Sequence, residues 1–412
     1  MNALNPDLIS AVREQLLAQG TPFPQWGETE GSFRAFQGAI TAALVSLNLT
    51  GQLPDVPAAS RELARRLTGL GVLQPLLDDP ADLVQELIVR QGCVQVERAG
   101  AIQDAGNLAP DAEFGHIVSR TADRAGHQTS GSRPYVLADL PDGSRFTAIV
   151  PPLSVAGVAI NVRRFPRRRL TLADLEGRSM FAPRAQSSDA VANVYPDFRG
   201  AVARYLAHVA SQVSASMLIS GEFSSGKSTL LGALASLVPE TTQVAVVETF
   251  KEVQLSHPHP LRVVVPTDRG ADFPSMDEVL NVVLTRMRPD LLILGEIVRD
   301  EAPRFLDAAN LGKRAWSTIH AGSALGALER LETKALASGL PHQAVREQIA
   351  HSVNLVVHLA RNGAERQLGE LALVHGLDAH GNYNLEYLPV GRVADRAQLL
   401  HATWRLVSQE RD

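Results

Sequence analysis

The sequence predicts an α/β protein: a doubly wound sheet in the C-terminal half, a small α+β region before it, and an N-terminal helical bundle. Three observations carry this. Runs such as 244–247 and 291–294 are apolar throughout, as strands covered on both faces must be, and helical patterns lie between them. Upstream, short strand-like runs mix with a helix without βα alternation. At the N-terminus, apolar residues recur at helical spacing.

Taken in order, Asn5 can cap a first helix and Pro6 suits its first position, with Leu8, Ile9, Val12, Leu16 and Leu17 forming one apolar face. Helical patterns follow at 33–49 and 59–70, so 1–77 reads as a helical bundle. The uncharged stretch 35–54 contains Gln37, Thr41, Ser46 and Asn48, which fits a half-buried helix better than a membrane span. Past residue 83 the period shortens. Strands are expected at 86–89 and 94–97 around the turn Gln91-Gly92, a helix at 114–125, and strands at 135–140, 145–150 and 158–163. Pro141-Asp142-Gly143 marks the turn between the first two of those three. Residues 78–165 therefore read as an α+β domain, and 166–197, rich in Arg, Pro, Ser and Asp, as a linker. From 198 to 412 the pattern is α/β. A helix at 198–213 precedes a strand at 217–220, and a helix starts at Lys227. Strands follow at 244–247, 262–265, 291–294 and 315–319, with helices at 276–287 and 302–310. A hairpin, 353–360 and 366–374, turns at Asn362-Gly363.

Composition bounds the function. The 412 residues are 45% hydrophobic and 20% charged, enough apolar material for packed cores. Lys plus Arg is 39 and Asp plus Glu is 44, a net charge of −5, which disfavours nucleic acid as the partner. One cysteine, Cys93, excludes a disulfide scaffold and any zinc module that needs two or more cysteines. The opening MNALNPDLIS has neither a basic nor an apolar leader segment, so a cytoplasmic location is expected.

The sharpest motif is Gly221-Glu222-Phe223-Ser224-Ser225-Gly226-Lys227-Ser228, followed by Thr229, set between an apolar strand and a helix. Small residues let successive backbone N–H groups face a phosphate, and the helix N-terminus adds its dipole. Lys227 is placed to reach β- and γ-phosphates, and Ser228 to ligate Mg²⁺. Glu296 follows the apolar run 291–294, either facing that loop to hold a Mg²⁺-bound water or orient the attacking one, or standing as an ordinary surface acid after a strand. Glu248 ends 244–247 and Glu252 follows, either placed near the γ-phosphate or on a solvated loop. His320 ends another strand, as a γ-phosphate sensor or a packed structural residue. Arg133, Arg145, Arg163 and Arg164 fall outside the loop's own sheet, as donors to phosphate oxygens or as surface ion pairs.

Together GEFSSGKST, VVETFKEVQLSHPH, TRMRPDLLILGEIVRDEA and STIHA resemble the secretion-ATPase superfamily of type II and type IV secretion and type IV pili. Their order matches its Walker A, Asp box, Walker B and His box. Upstream, LLDDPADLVQELIVRQGCVQVERAG, ADLPDGSRFTAIVPP and INVRRF resemble the tight-adherence (Flp) pilus ATPases. The likeness covers roughly 76–387. It implies a RecA-like P-loop ATPase domain behind a PAS-like α+β domain, with ATP and Mg²⁺ as ligands. It also implies a homo-hexamer acting on an inner-membrane platform protein and held peripherally at the membrane. The resemblance gives Lys227 and Ser228 phosphate and Mg²⁺, makes Glu296 the water-activating glutamate, and assigns Glu248 and Glu252 to the Asp box and His320 to the His box. Arg145 and Arg163 match arginines that reach the nucleotide from the N-terminal domain, and Arg286 and Arg288 precede Walker B. Three positions depart from the pattern: Thr249 where an Asp is usual, Lys313 where a His is usual, and Val298 where an Arg is usual. These bear on hydrolysis rate rather than binding. Two other readings stay open, a conjugation-type type IV secretion ATPase and a slow-turnover nucleotide-gated scaffold.

Overall fold

The structure is a computed structural model and describes residues 4, 6–24, 30–78, 84–98, 101–126, 129, 133–164, 169–181, 198–266, 273–299, 301–362 and 365–388. Asn5, Gly363 and most of the expected linker (166–168 and 182–197) lie outside the described residues. The chain divides into two units, Met1–Arg167 and Arg168–Asp412.

The first unit opens with α1 (Pro6–Ala18), α2 (Glu30–Ser46), α3 (Val56–Leu67) and the short α4 (Gln74–Leu77). Val12, Leu16, Ile40, Leu44 and Leu63 close the helical core. α3 starts where Asp55 accepts the Ala58 N–H at 2.9 Å, a side-chain cap. Next come β1 (Val84–Arg90), β2 (Cys93–Arg98), β3 (Ala101–Gly106), α5 (Asp111–Arg124), β4 (Tyr135–Asp139), β5 (Arg145–Ile149) and β6 (Ala159–Arg163). The sheet is antiparallel in the order β3-β2-β1-β6-β5-β4. Phe114, Ile117 and Val118 of α5 cover one face, against Leu87, Val89, Phe146 and Ile160. Leu70, Leu73 and Leu77 join that same core, which ties the end of the helical segment to the sheet. β3 has no counterpart among the strands expected from the sequence: AIQDAG has no apolar alternation, as befits an exposed edge strand.

The second unit holds α6 (Leu172–Gly177), α7 (Phe198–Gln212), β7 (Met217–Gly221), α8 (Lys227–Ala235), β8 (Val244–Glu248) and β9 (Leu261–Val264). It continues through α9 (Met276–Val282), β10 (Leu291–Leu294), α10 (Glu301–Asn310), β11 (Arg314–Ile319), α11 (Ala324–Ala335) and α12 (His342–Ser352). It closes with β12 (Leu355–Asn362), β13 (Glu365–Leu377) and β14 (Tyr383–Leu388). The sheet order is β14-β13-β12-β7-β11-β10-β8-β9. β12 through β9 are parallel, and β13 and β14 add an antiparallel edge. Alternate strand residues enter two cores. Met217, Ile219, Val246, Ile293 and Trp316 meet α7 and α8, whereas Leu218, Val247, Leu292, Leu294 and Ile319 meet α10, α11 and α12. The phosphate-loop strand β7 and the strand β10 are separated by β11, the RecA-like arrangement.

Two expectations are corrected. The stretch expected as linker contains α6, fixed by a capping box between Thr171 and Asp174. The helix expected over 276–287 ends as an α-helix at Val282 and passes through a π turn to Arg288, whose backbone is left-handed.

Candidate functional site

The site forms where β7, β8, β10 and β11 end at one edge of the parallel sheet. From β7 the chain turns through 222–226 into α8, with left-handed backbone at Ser224 (φ +57°) and Gly226 (φ +94°). Only glycine adopts the second without strain. A Cβ at Gly221 would approach the Leu359 carbonyl oxygen to 2.4 Å, so the strand end also demands glycine. The turn thus delivers backbone N–H groups into a helix N-terminus, an anion cradle. Ser225 is fully buried, and its hydroxyl has no hydrogen-bond partner among the described residues, an orphan that a phosphate oxygen would satisfy. Ser228 and Thr229 sit half-buried in the first turn of α8.

Lys227 is buried. Its ammonium donates to the Gly221 carbonyl (3.1 Å), the Glu222 carbonyl (2.8 Å) and His320 Nδ1 (3.3 Å). On the other side of that ring, His320 Nε2 lies 2.9 Å from Glu296 Oε1. These partners fix the tautomer: Nδ1 accepts from the ammonium and Nε2–H donates to the carboxylate. Lys227, His320 and Glu296 therefore form one polar chain across the ends of β7, β11 and β10. The Phe223 ring covers His320 with centroids 3.9 Å apart. Gly295, just before Glu296, packs against Glu248, whose Cγ would be 3.1 Å from a Cβ there.

Glu248 is buried, and its Oε1 accepts the N–H groups of Glu252 (2.9 Å) and Val253 (2.7 Å). Its Oε2 lies 3.6 Å from Arg262. Burial pushes its carboxyl up to about 7, against the opposing pull of the two N–H groups and Arg262. Arg262 also donates to the Val253 carbonyl at 2.9 Å. Glu248 thus shapes the loop that carries Glu252. Within the second unit Lys227, His320 and Glu296 come together, with Glu248 packed beside Gly295, whereas Arg286 and Arg288 precede β10, at the other end of that strand from Glu296. Arg145 and Arg163 belong to the first unit, where they stand directly opposite each other on β5 and β6. Arg164 is buried there, and Arg133 lies over the Tyr135 ring at 5.7 Å.

One departure proves remote from this chemistry. Lys313 lies at the amino end of β11, 3.8 Å from Asp290 before β10, at the opposite end of both strands from His320 and Glu296. Other neighbours of the loop escaped the sequence reading. Arg366 Nε donates to the Ser224 carbonyl at 2.8 Å, and the Met180 methyl would be 3.3 Å from a Cβ on Gly226. Both come from distant parts of the chain, where no local pattern marks them. Among the described residues no group of three or more His, Cys, Asp or Glu could hold a metal.

A family model described as "Type II/IV secretion system protein" matches residues 111–375. The chain is 29% identical over 293 residues to the type IV secretion system protein PtlH of Bordetella pertussis, covering 67% of this chain and 85% of that one. It is 27% identical over 315 residues to the conjugal transfer protein TrbB of Rhizobium radiobacter, covering 75% and 88%. The crystal structure of the VirB11 ATPase of the Brucella suis type IV secretion system, in complex with sulphate, is 26% identical with a TM-score of 0.38, covering 73% and 95%.

Proposed function

Because the chain belongs to the type II/IV secretion system protein family, we propose that it is an ATP-hydrolysing motor of a secretion or pilus-assembly machine. It works as a homo-hexamer at the cytoplasmic face of the inner membrane. The observation that carries this reading is the chain from Lys227 through His320 to Glu296. Lys227 grips the β- and γ-phosphates beside the loop N–H groups, and the Ser225 hydroxyl takes a phosphate oxygen. Glu296, oriented by His320, positions and deprotonates the attacking water. Arg145 and Arg163 supply positive charge to the equatorial oxygens, and Glu248 with Arg262 holds Glu252 in place. A Mg²⁺ ion bound by Ser228 and, through water, by Glu296 would offset charge on the β- and γ-oxygens. Among the described residues no helix is long and apolar enough to cross a membrane. In this reading force reaches the membrane through a platform protein.

The test compares steady-state ATPase activity of wild type, Lys227→Ala and Glu296→Gln across a range of protein concentrations. Lys227→Ala should lose nucleotide binding. Glu296→Gln should still bind and hydrolyse about 10²- to 10⁴-fold more slowly. Specific activity should rise with concentration as hexamers assemble. Activity that survives loss of Lys227 overturns the site. The names of the relatives favour a type IV secretion machine over a tight-adherence pilus as the setting. Thr249 motivates the scaffold reading, and a single-turnover assay that finds ATP retained intact for hours would establish it.

A further inference from the structure

Of the two parallel strands that flank β7, β12 places Leu359 opposite Gly221. β13 runs back along β12, and its register slips between two pairs: His358 faces Glu370, but Leu359 faces Leu368. The extra residue is Gly369, where a Cβ would meet the His358 ring at 3.1 Å. An inserted residue reverses the in-out alternation beyond it. Leu368 and Leu371 consequently enter the same core, the one against α8. Arg366 shares the side of Leu368, and Glu370 points to the opposite side, that of α11.

Each of these two side chains ends on a different loop of the nucleotide site. Arg366 donates to the Ser224 carbonyl at 2.8 Å, in the middle of the phosphate loop. A Glu370 oxygen accepts the Ala324 N–H at 2.6 Å, at the first residue of α11 and four positions after His320. The contact satisfies an orphan N–H and places a carboxylate at a helix N-terminus. The ring of His358, against which Gly369 packs, lies 3.1 Å from the Ser220 hydroxyl, one residue before the phosphate loop. From the strand's point of view, the loop that binds phosphate and the loop that presents His320 are two ends of one brace.

We infer that β13 is a positioning strand for ATP turnover: Arg366 sets the phosphate loop, Glu370 sets the His320 loop, and the Gly369 bulge lets one strand hold both. The inference rests on the ATPase reading. Neither residue touches the reacting atoms. Arg366 acts on nucleotide affinity, and Glu370 acts on the rate through His320 and Glu296.

The test uses the full chain and a fluorescent ADP analogue for affinity, with ATPase kinetics alongside. Arg366→Ala should weaken analogue binding about tenfold, with Arg366→Lys recovering part of it. Glu370→Ala should lower kcat about tenfold at unchanged KM, and Glu370→Gln, which keeps a carbonyl acceptor for Ala324, should restore most of it. Because the two ends share a strand, the double alanine variant should lose less than the product of the single losses. The Lys227→Ala variant separates the levels of failure. If Lys227→Ala loses binding while Arg366→Ala binds as wild type does, the brace is overturned and the site stands. If Glu370→Gln is as slow as Glu370→Ala, the hydrogen bond to α11 is not what matters and the brace is overturned. If Lys227→Ala binds normally, the site and the brace both fall.

Discussion

The two sheets of this molecule bury themselves in different ways, and the difference decides where chemistry can sit. In the first unit, burial alternates along β5 and β6: Phe146, Ala148, Ile160 and Val162 are buried, while Arg145, Thr147, Asn161 and Arg163 lie on the other face. A polar row therefore runs across four strands, Asp139–Arg145–Arg163–Glu86. In the second unit, β7, β8 and β10 are buried at every residue. A strand covered on both faces has no polar length to offer. Its chemistry moves to its end, which is where Gly221, Glu248, Glu296 and His320 stand. The first sheet can carry function on a face, whereas β7, β8 and β10 can carry it only at their ends.

The largest effect that would sharpen this contrast comes from the same substitution made in a helix of each unit. Gly232 lies in α8, which packs so closely that a Cβ would be 2.2 Å from the Gln254 carbonyl oxygen. Backbone cannot yield cheaply there, so Gly232→Ala should cost about 3 kcal/mol. Gly115 lies in α5, and its nearest neighbour to an added Cβ is a Val158 methyl at 4.0 Å. Gly115→Ala should therefore stabilise by about 0.5–1 kcal/mol through helix propensity alone. Urea unfolding of both variants reads the opposite signs. Equal destabilisation would mean that the alternating sheet is as tightly overlaid as the fully buried one.

A smaller effect follows from the carboxylate buried at the end of β8. Burial raises the Glu248 carboxyl from 4.5 to about 7. The folded state then binds more protons than the unfolded state between those values. Its stabilising contribution is full below about 4.5 and is lost as pH rises through about 7. Glu248→Gln keeps a carbonyl for the Glu252 and Val253 N–H groups but carries no charge. It should flatten the fall in stability across that window and match or exceed wild type at pH 8. Denaturant midpoints at pH 5, 6, 7 and 8 test it. Parallel pH profiles for the two proteins would place the titration elsewhere.

How much of this was legible beforehand depends on chain distance. The phosphate loop reads from eight consecutive residues, because strand, turn and helix N-terminus are all local. Glu296 reads from its position after an apolar run, and His320 from its position at the end of an expected strand. Arg366 and Glu370 do not, since their meaning depends on a register slip at Gly369 that no periodicity records, and Arg366 acts 142 residues away from Ser224. The exposed β3 and the capped α6 were missed for the converse reason, having too little apolar pattern to announce a strand or a helix. Lys313 misled in another way. Its departure from the family pattern was tied to hydrolysis rate, but six-residue β11 carries its two ends to opposite edges of the sheet.

The polar row of the first sheet offers the smallest effect on stability and the finest cut between face and rim. Arg163 stands between Arg145 on one side and Glu86 on the other. Removing it relieves repulsion from the first and gives up attraction to the second. Glu86 keeps a partner regardless, because it accepts a hydrogen bond from Asn161. Arg163→Ala should therefore shift stability by less than about 0.5 kcal/mol. If this face serves the nucleotide, ATPase activity should nonetheless fall about tenfold or more, with analogue binding at Lys227 retained. A loss of stability well above 1 kcal/mol would make Arg163 a structural member of its sheet, and a fall in activity could then no longer be credited to its charge.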